Sequence, residues 1–536
     1  MRFDPLHYPY WSKRTVNYAD NGMVATSQPL AAQAGLEMLK KGGNAVDAAV
    51  ATAAALTVVE PTSNGIGGDA FAIIWKDGKI FGLNSSGPSP KELDIETVKE
   101  KGHEKMPKFG WIPVTVPGIP GAWSALCEEH GDLPFEEVLA PSIRYAEEGY
   151  PLSPVLGRYW KAAYGSYKEA VGDEDKFKHW FETFAPDGRA PEIGEIWKSE
   201  DHARTLREIG ETKAESFYRG EIAEKIDEFS KKTGGFLDED DLAGFSPEWV
   251  DPLSIDYRGH EVWELPPNGQ GLIALQALNI LKGFDFPHKD SIETYHKQIE
   301  ALKLAFSDGK KGITDPDHMK VDPEELLSED YAAERRRLID EEAVEPEPGR
   351  LTEGGTVYLA AADGQGNMVS YIQSNYMGFG SGLVVPGTGI ALQNRGNTFS
   401  LDPSRANRLE PGKRTYHTII PGFLTKGGDA VGPFGVMGGY MQPQGHLQVV
   451  MNTLDFDLNP QAALDAPRWR WEEGKKVHLE KRFPHHIGKA LSRKGHKVNY
   501  SLDSGSYGRG QIIWKLKNGV YAGGTEPRTD GQIASW

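Results

Sequence analysis

The segment from Thr356 to Ser374 limits the possible folds more than any other stretch. Thr356-Val357-Tyr358-Leu359-Ala360-Ala361-Ala362 has strand character, with apolar residues at successive positions. Asp363-Gly364-Gln365-Gly366-Asn367 supplies a turn, and Met368-Val369-Ser370-Tyr371-Ile372-Gln373-Ser374 returns as a second such run. Side chains alternate between the two faces of a strand, so a run apolar at consecutive positions must bury both. Two such strands belong at the centre of a sheet covered on both sides. The residues before them differ sharply. Residues 320–352 are charged, and Glu341-Glu342-Ala343-Val344-Glu345-Pro346-Glu347-Pro348-Gly349 shows no apolar face. The stretch from about 341 to 355 therefore reads as an exposed linker.

Other elements follow from local patterns. Gln28 to Lys41 carries apolar residues at helical spacing and stops at Gly42-Gly43. Asn44 can cap a second, alanine-rich helix from Ala45 to Val58. Ala70 to Trp75 reads as a buried strand, turning at Lys76-Asp77-Gly78 into Ile80-Phe81-Gly82-Leu83. Residues 118–235 read mainly as helices, Asp238 to Phe245 as an acidic loop, and Arg258 to Leu265 as an alternating strand ended by Pro266-Pro267. Helices are expected at Leu272–Leu281 and Ile292–Phe306.

Charge and cysteine content narrow the function. With 59 Lys plus Arg against 77 Asp plus Glu the formal charge is −18, which argues against nucleic acid or an anionic membrane as partner. The single cysteine, Cys127, excludes a disulfide framework and a cysteine-based metal cluster. The first residues lack a basic region followed by an apolar one, and the longest apolar run, Ala45 to Val59, is too short and polar to span a bilayer. A cytoplasmic enzyme without metal or cofactor is the expectation. The fifteen histidines show no metal-ligand spacing that stands out, and His485-His486 reads as a solvated pair.

Common catalytic signatures are absent: no His-Glu-x-x-His, no Walker loop, no Gly-x-Gly-x-x-Gly after a strand, no Gly-x-Ser-x-Gly. What remains is Gly354-Gly355-Thr356, where the linker meets the first central strand. Glycine before the threonine widens the backbone conformations open to an attack by the hydroxyl on its own preceding carbonyl. Scission there would give Thr356 a free α-amine with an unperturbed pKa of about 7.7–8.0, suited to a general base near neutrality. The triplet alone is explained equally well as a turn before a strand. Gly438-Gly439 adds a pair of glycines able to present backbone N–H groups as an oxyanion hole, or simply to make a tight turn.

Several separated stretches together resemble the γ-glutamyltranspeptidase family of N-terminal-nucleophile hydrolases. They are Lys41-Gly42-Gly43-Asn44-Ala45-Val46-Asp47-Ala48-Ala49 with Glu60-Pro61 and Gly65-Ile66-Gly67-Gly68; Tyr257-Arg258-Gly259 with Pro266-Pro267; and Ala301-Leu302-Lys303-Leu304-Ala305-Phe306. The strand pair from Thr356, Phe379-Gly380-Ser381-Gly382 through Gly387-Thr388-Gly389, and Gly438-Gly439 with Asn459-Pro460 and Ala466-Pro467-Arg468 complete the set, in the family's order along nearly the whole chain. The resemblance implies an α+β fold, the four-layer αββα sandwich, and self-cleavage between Gly355 and Thr356 into a heterodimer of a large fragment, 1–355, and a small one, 356–536, open to higher assembly. It implies Thr356 as nucleophile acting on a small-molecule amide, Gly438 and Gly439 as the oxyanion hole, Ser374 as the hydroxyl that hydrogen-bonds the nucleophile, and Asn375 near the substrate.

Departures from the family pattern bear on the substrate. Asn84 stands where γ-glutamyl enzymes carry a carboxylate-binding arginine. Arg395 and Thr398 stand where they hold the α-amine, and His417-Thr418 replaces a pair of serines. The segment from Phe399 to Arg414, where the family has its lid loop, is short. An aminium beside Arg395 would be repelled. The chain therefore resembles the acylase-like branch, with cephalosporin or glutaryl acylase-like proteins and oxamate amidohydrolase. Arg395 with His417 is expected to bind a substrate carboxylate that lacks a neighbouring amine. A true glutathione hydrolase, or an inactive member with a binding role, are the alternatives.

Overall fold

The computed structural model describes residues 3–4, 6–12, 14–172, 174–346 and 355–536. Two antiparallel seven-stranded sheets form its centre. Their strands, in chain order, are β1 (Asn17–Ala19), β2 (Gly22–Thr26), β3 (Asp69–Lys76), β4 (Lys79–Ser85), β5 (Glu248–Val250), β6 (Leu253–Tyr257) and β7 (His260–Glu264). They continue as β8 (Gly355–Asp363), β9 (Met368–Tyr376), β10 (Gly422–Lys426), β11 (Asp429–Met437), β12 (Arg509–Lys515), β13 (Tyr521–Thr525) and β14 (Gln532–Ser535). One sheet has the order β14-β2-β8-β9-β3-β4-β5, the other β1-β13-β12-β11-β10-β7-β6.

The expectation of central strands buried on both faces is met. Along β8, Val357, Leu359 and Ala361 join a core shared with helices, while Tyr358, Ala360 and Ala362 join a second core between the sheets with Phe71, Ile372, Phe423 and Ile513. Helix α1 (Pro29–Lys40) and helix α2 (Ala45–Val59) cover the first sheet. Helices α3 (Gly271–Leu281), α4 (Ile292–Gly312) and α5 (Met441–Leu454) lie in a third core on the outer side of the second sheet. This is the αββα sandwich.

Local chemistry explains how α2 is set. Asn44 accepts from the N–H groups of Val46 and Asp47, and Asp47 accepts from the N–H of Asn44, a reciprocal capping box. Every residue of α2 is buried, so alanine is the side chain that fits. Its two threonines return their hydroxyls to the carbonyls of Ala48 and Ala54.

Three sequence expectations are corrected. The acidic stretch at 238–245 contains a short helix, Glu239–Ala243, because Asp238 caps it by accepting from the N–H of Asp241. Arg258 and Gly259, both at positive φ, form the turn of a β6–β7 hairpin, so the alternating strand starts at His260. The linker is not wholly exposed: Ala343 and Pro346 are buried. The part at 347–354, including Gly354, lies outside the described residues. Among the described residues no helix is long and apolar enough to cross a membrane.

Candidate active site

Thr356 sits in β8 at an irregularity of the sheet. Gly355 pairs with Tyr376 and Val357 with Gln373, so Ser374 and Asn375 of β9 together oppose one residue, Thr356. Such a bulge re-aims side chains and is common beside active sites. Here it brings the Thr356 hydroxyl 3.2 Å from Ser374 Oγ, to which it donates. Ser374 Oγ in turn donates to the carbonyl oxygen of Gly355 at 2.6 Å and accepts from the N–H of Tyr376 at 2.8 Å. One serine hydroxyl therefore touches both the candidate nucleophile and the carbonyl it would attack. Ser374 is buried, and Thr356 is 1% exposed.

Gly438 and Gly439 lie between the end of β11 and the start of α5, with φ of +134° and +59°. Only glycine takes the first of these without strain. Their carbonyls accept from the N–H groups of Met441 and Gln442, and the Gly439 carbonyl also accepts from Gln270 Nε2. Their own N–H groups meet no acceptor among the described residues. They stand at the positive end of a 14-residue helix, where an oxyanion is favoured. Gly438 and Gly355 line the same cavity, of about 700 Å³, whose walls include Phe109, Tyr159, Tyr167, Met377, Asn394, Met437 and Arg509.

Next in sequence to Asn394 and Met377 of the cavity wall are Arg395 and Tyr376, members of a buried polar cluster with Asp69, His417 and Thr418. Arg395 is fully buried, and its Nη1 donates to Thr418 Oγ1 at 2.7 Å. Its guanidinium lies 4.5 Å from the centre of the Tyr376 ring. Nε and Nη2 have no partner. A buried cation with two unspent donors is costly and is suited to receive an anion. Asp69 balances its charge without an ion-pair contact. Burial raises the Asp69 carboxyl to about 7, against the opposing pull of Arg395 and a hydrogen bond from Gln393. Burial lowers Arg395 to about 10.

The remaining predicted residues divide by position. His417 donates from Nε2 to Asp69, while its Nδ1 accepts from the N–H of Ile419. Burial, and then Arg395, hold it well below its usual pKa, so it is a neutral ring committed to Asp69. Both ring nitrogens are thus engaged within the protein, which sets His417 apart from the expectation that it joins Arg395 in binding a substrate carboxylate. Asn84 is tied to Asn268 and Ser86 and does not reach the cavity. Asn375 is also absent from the cavity wall. Its side chain packs against Gly65 and Gly68, where an added Cβ would come within 2.9 and 2.5 Å of it. The residue facing Arg395 is the next one, Tyr376, held at φ +73° by the bulge. Tyr376, Asp69 and Tyr440 were not singled out from sequence; the Gly67-Gly68-Asp69 junction was the one available signal.

Comparison with known proteins agrees with this geometry. Residues 31–536 match the family model for gamma-glutamyltranspeptidase. A glutathione hydrolase-like YwrD proenzyme of Bacillus subtilis is 37% identical, over 95% of this chain and 97% of its own length. An oxamate amidohydrolase proenzyme of Klebsiella pneumoniae is 33% identical, over 97% of this chain and 99% of its own. The crystal structure of a cephalosporin acylase from Bacillus halodurans superposes with a TM-score of 0.96 at 65% identity, covering 100% of this chain and 99% of that one. The chain belongs to the γ-glutamyltranspeptidase family and is an amidohydrolase of the N-terminal-nucleophile type.

Proposed function

We propose that the chain cuts itself between Gly355 and Thr356 and then hydrolyses amides whose acyl group carries a carboxylate. The observation that carries this reading is the double contact of Ser374 Oγ with Thr356 Oγ1 and with the Gly355 carbonyl. In self-cleavage the Thr356 hydroxyl adds to that carbonyl and the peptide C–N bond breaks, leaving an ester. That break frees the Thr356 α-amine, and water then hydrolyses the ester, releasing the Gly355 carboxylate and restoring the Thr356 hydroxyl. In turnover the same oxygen attacks the substrate amide. The α-amine takes its proton and passes it to the departing amine. The N–H groups of Gly438 and Gly439 hold the oxyanion, and water then hydrolyses the acyl-enzyme.

Arg395 is the proposed carboxylate receptor, with Thr418 orienting its fork. The Tyr376 ring lies over the Arg395 guanidinium, and the strand partner of Tyr376 is Gly355. Departure of Gly355 after scission removes that partner and gives the substrate a way in. The cavity, walled by Phe109, Tyr159 and Tyr167, suits a bulky leaving amine. This accords with the named activities of the cephalosporin acylase and oxamate amidohydrolase relatives.

Purified wild-type protein should run as two fragments on a denaturing gel, the smaller beginning Thr356-Val357-Tyr358, and Thr356→Ala should remain one chain. Turnover by an uncut wild-type chain, or by Thr356→Ala, would refute the reading.

A further inference from the structure

A buried charged cluster lies away from the catalytic residues and is not used by the mechanism above. Helix α4 presents His296, Glu300 and Lys303 on one side. Glu300 and Lys303 form an ion pair at 2.6 Å with both side chains fully buried. Both ends of the pair are spent on the chain that leads to the cleavage site. Glu300 Oε2 accepts from the N–H of Val344 at 2.9 Å, and Lys303 Nζ donates to the Val344 carbonyl at 3.1 Å. His296 donates from Nε2 to the Asp340 carbonyl at 2.8 Å. Its Nδ1 then accepts from His496 Nε2, 2.9 Å away. From the same turn as His496, the Lys494 carbonyl accepts from the N–H of Ala343 at 2.7 Å, and Lys494 Nζ donates to the carbonyl of Glu341.

His296, Glu300 and His496 bring three ligand-capable atoms within 4.8 Å of one another, but the Lys303 ammonium already supplies the positive charge that Glu300 requires. The cluster spends its hydrogen bonds on backbone groups of residues 340–344 instead. Satisfying a surface segment's backbone with fully buried charges is expensive, and simple chain closure does not require it.

We infer that Glu300 and Lys303, backed by His296 and His496, form a latch that positions the chain for self-cleavage and then keeps the tail of the large fragment bound to the small one. This rests on the scission proposed above. Among the described residues, the hydrogen bonds nearest before Gly355 are those at Val344; with all contacts of residues 340–344 lost, the next element back is the helix ending at Arg336, which roughly doubles the length of chain up to Gly355. Closure entropy alone then slows cleavage roughly threefold. The contacts from Lys494 and His496 come from the small fragment, so cutting after Gly355 leaves them intact.

The test follows conversion of newly synthesised full-length chain into two fragments for wild type, Glu300→Ala, Glu300→Gln and Val344→Pro. The last removes the N–H that Glu300 accepts without replacing either member of the buried ion pair. Glu300→Ala and Val344→Pro should cut more slowly, by up to about threefold. Glu300→Gln keeps an acceptor and should fall between them and wild type. Fully processed enzyme should keep its kcat/KM in every variant, a split that general damage to the fold would not give. Hydrogen exchange at Ala343 and Val344 should be slow in wild type before and after cutting, and exchange at Ala343 should be fast in Val344→Pro. Cleavage of Val344→Pro at the wild-type rate, or fast exchange at these amides in a wild-type chain that does cut, would overturn the latch alone. A wild-type chain that never cuts would overturn the Thr356 reading and the positioning role together.

Discussion

Replacing Arg395 with methionine removes a buried cation while keeping a long, flexible, apolar stem. In the free protein the exchange should be mild. The guanidinium has one hydrogen bond and two unpartnered groups, so little satisfied bonding is lost. Asp69, deprived of its positive neighbour, moves further above about 7 and takes up a proton rather than standing as an uncompensated charge. For a substrate carboxylate the loss is large. Removing one partner of a buried, hydrogen-bonded charge pair costs about 3–5 kcal/mol. At about 1.4 kcal/mol per tenfold, kcat/KM should fall by roughly 10² to 4 × 10³. The assay compares glutaryl and pentanoyl amides of one chromogenic amine, isosteric acyl groups that differ in the terminal carboxylate. Wild type should prefer the glutaryl amide, and Arg395→Met should abolish the preference while processing to two fragments as before. Equal losses on both substrates would refute the assignment, because they would mean that Arg395 supports the site rather than reads the carboxylate.

Ser374→Ala removes the donor to the scissile carbonyl and the partner of the nucleophile; self-cleavage should slow by about 10²- to 10³-fold, the range for loss of one such donor. Pulse-chase on denaturing gels reads this directly, and cleavage within a few-fold of wild type would remove Ser374 from the mechanism. Asp69→Asn probes the cluster's charge. The folded-state pKa of Asp69 is raised from 3.8 to about 7, so the folded chain binds the extra proton and wild type loses stability as pH rises between those values. Denaturation midpoints of Asp69→Asn should therefore gain on wild type from pH 4 to pH 7 and level off above; a constant difference would contradict the raised pKa.

What the sequence made legible was local or periodic. The β8–β9 pair announced itself because apolar residues at consecutive positions have one structural solution, and Asn44 because its cap is completed three residues away at Asp47. The helix at Glu239–Ala243 escaped notice because four acidic residues suggest a solvated loop, although the first of them is its cap. The hairpin turn at Arg258 escaped because arginine at positive φ carries no turn signature. Of the residues implied by family position, Ser374 lies against the Gly355 carbonyl and Gly438 on the cavity wall, whereas Asn375, beside Ser374 in the same bulge, packs against Gly65 and Gly68 and leaves Tyr376 over the guanidinium. The partner that fixes the His417 ring is Asp69, 348 positions away in sequence, and the latch joins His296 to His496 across 200; neither pairing leaves a local pattern.

The strand order has a consequence for the two-fragment protein. In one sheet β8 and β9, both downstream of the proposed scission, are sandwiched between β2 and β3, both upstream; in the other, β10 of the downstream part is bonded to β7 of the upstream part. Breaking one peptide bond thus creates two polypeptides without creating two bodies. Neither could leave without stripping the middle out of a sheet, so dissociation and global unfolding become the same event, and dilution should not separate what the gene encoded as one.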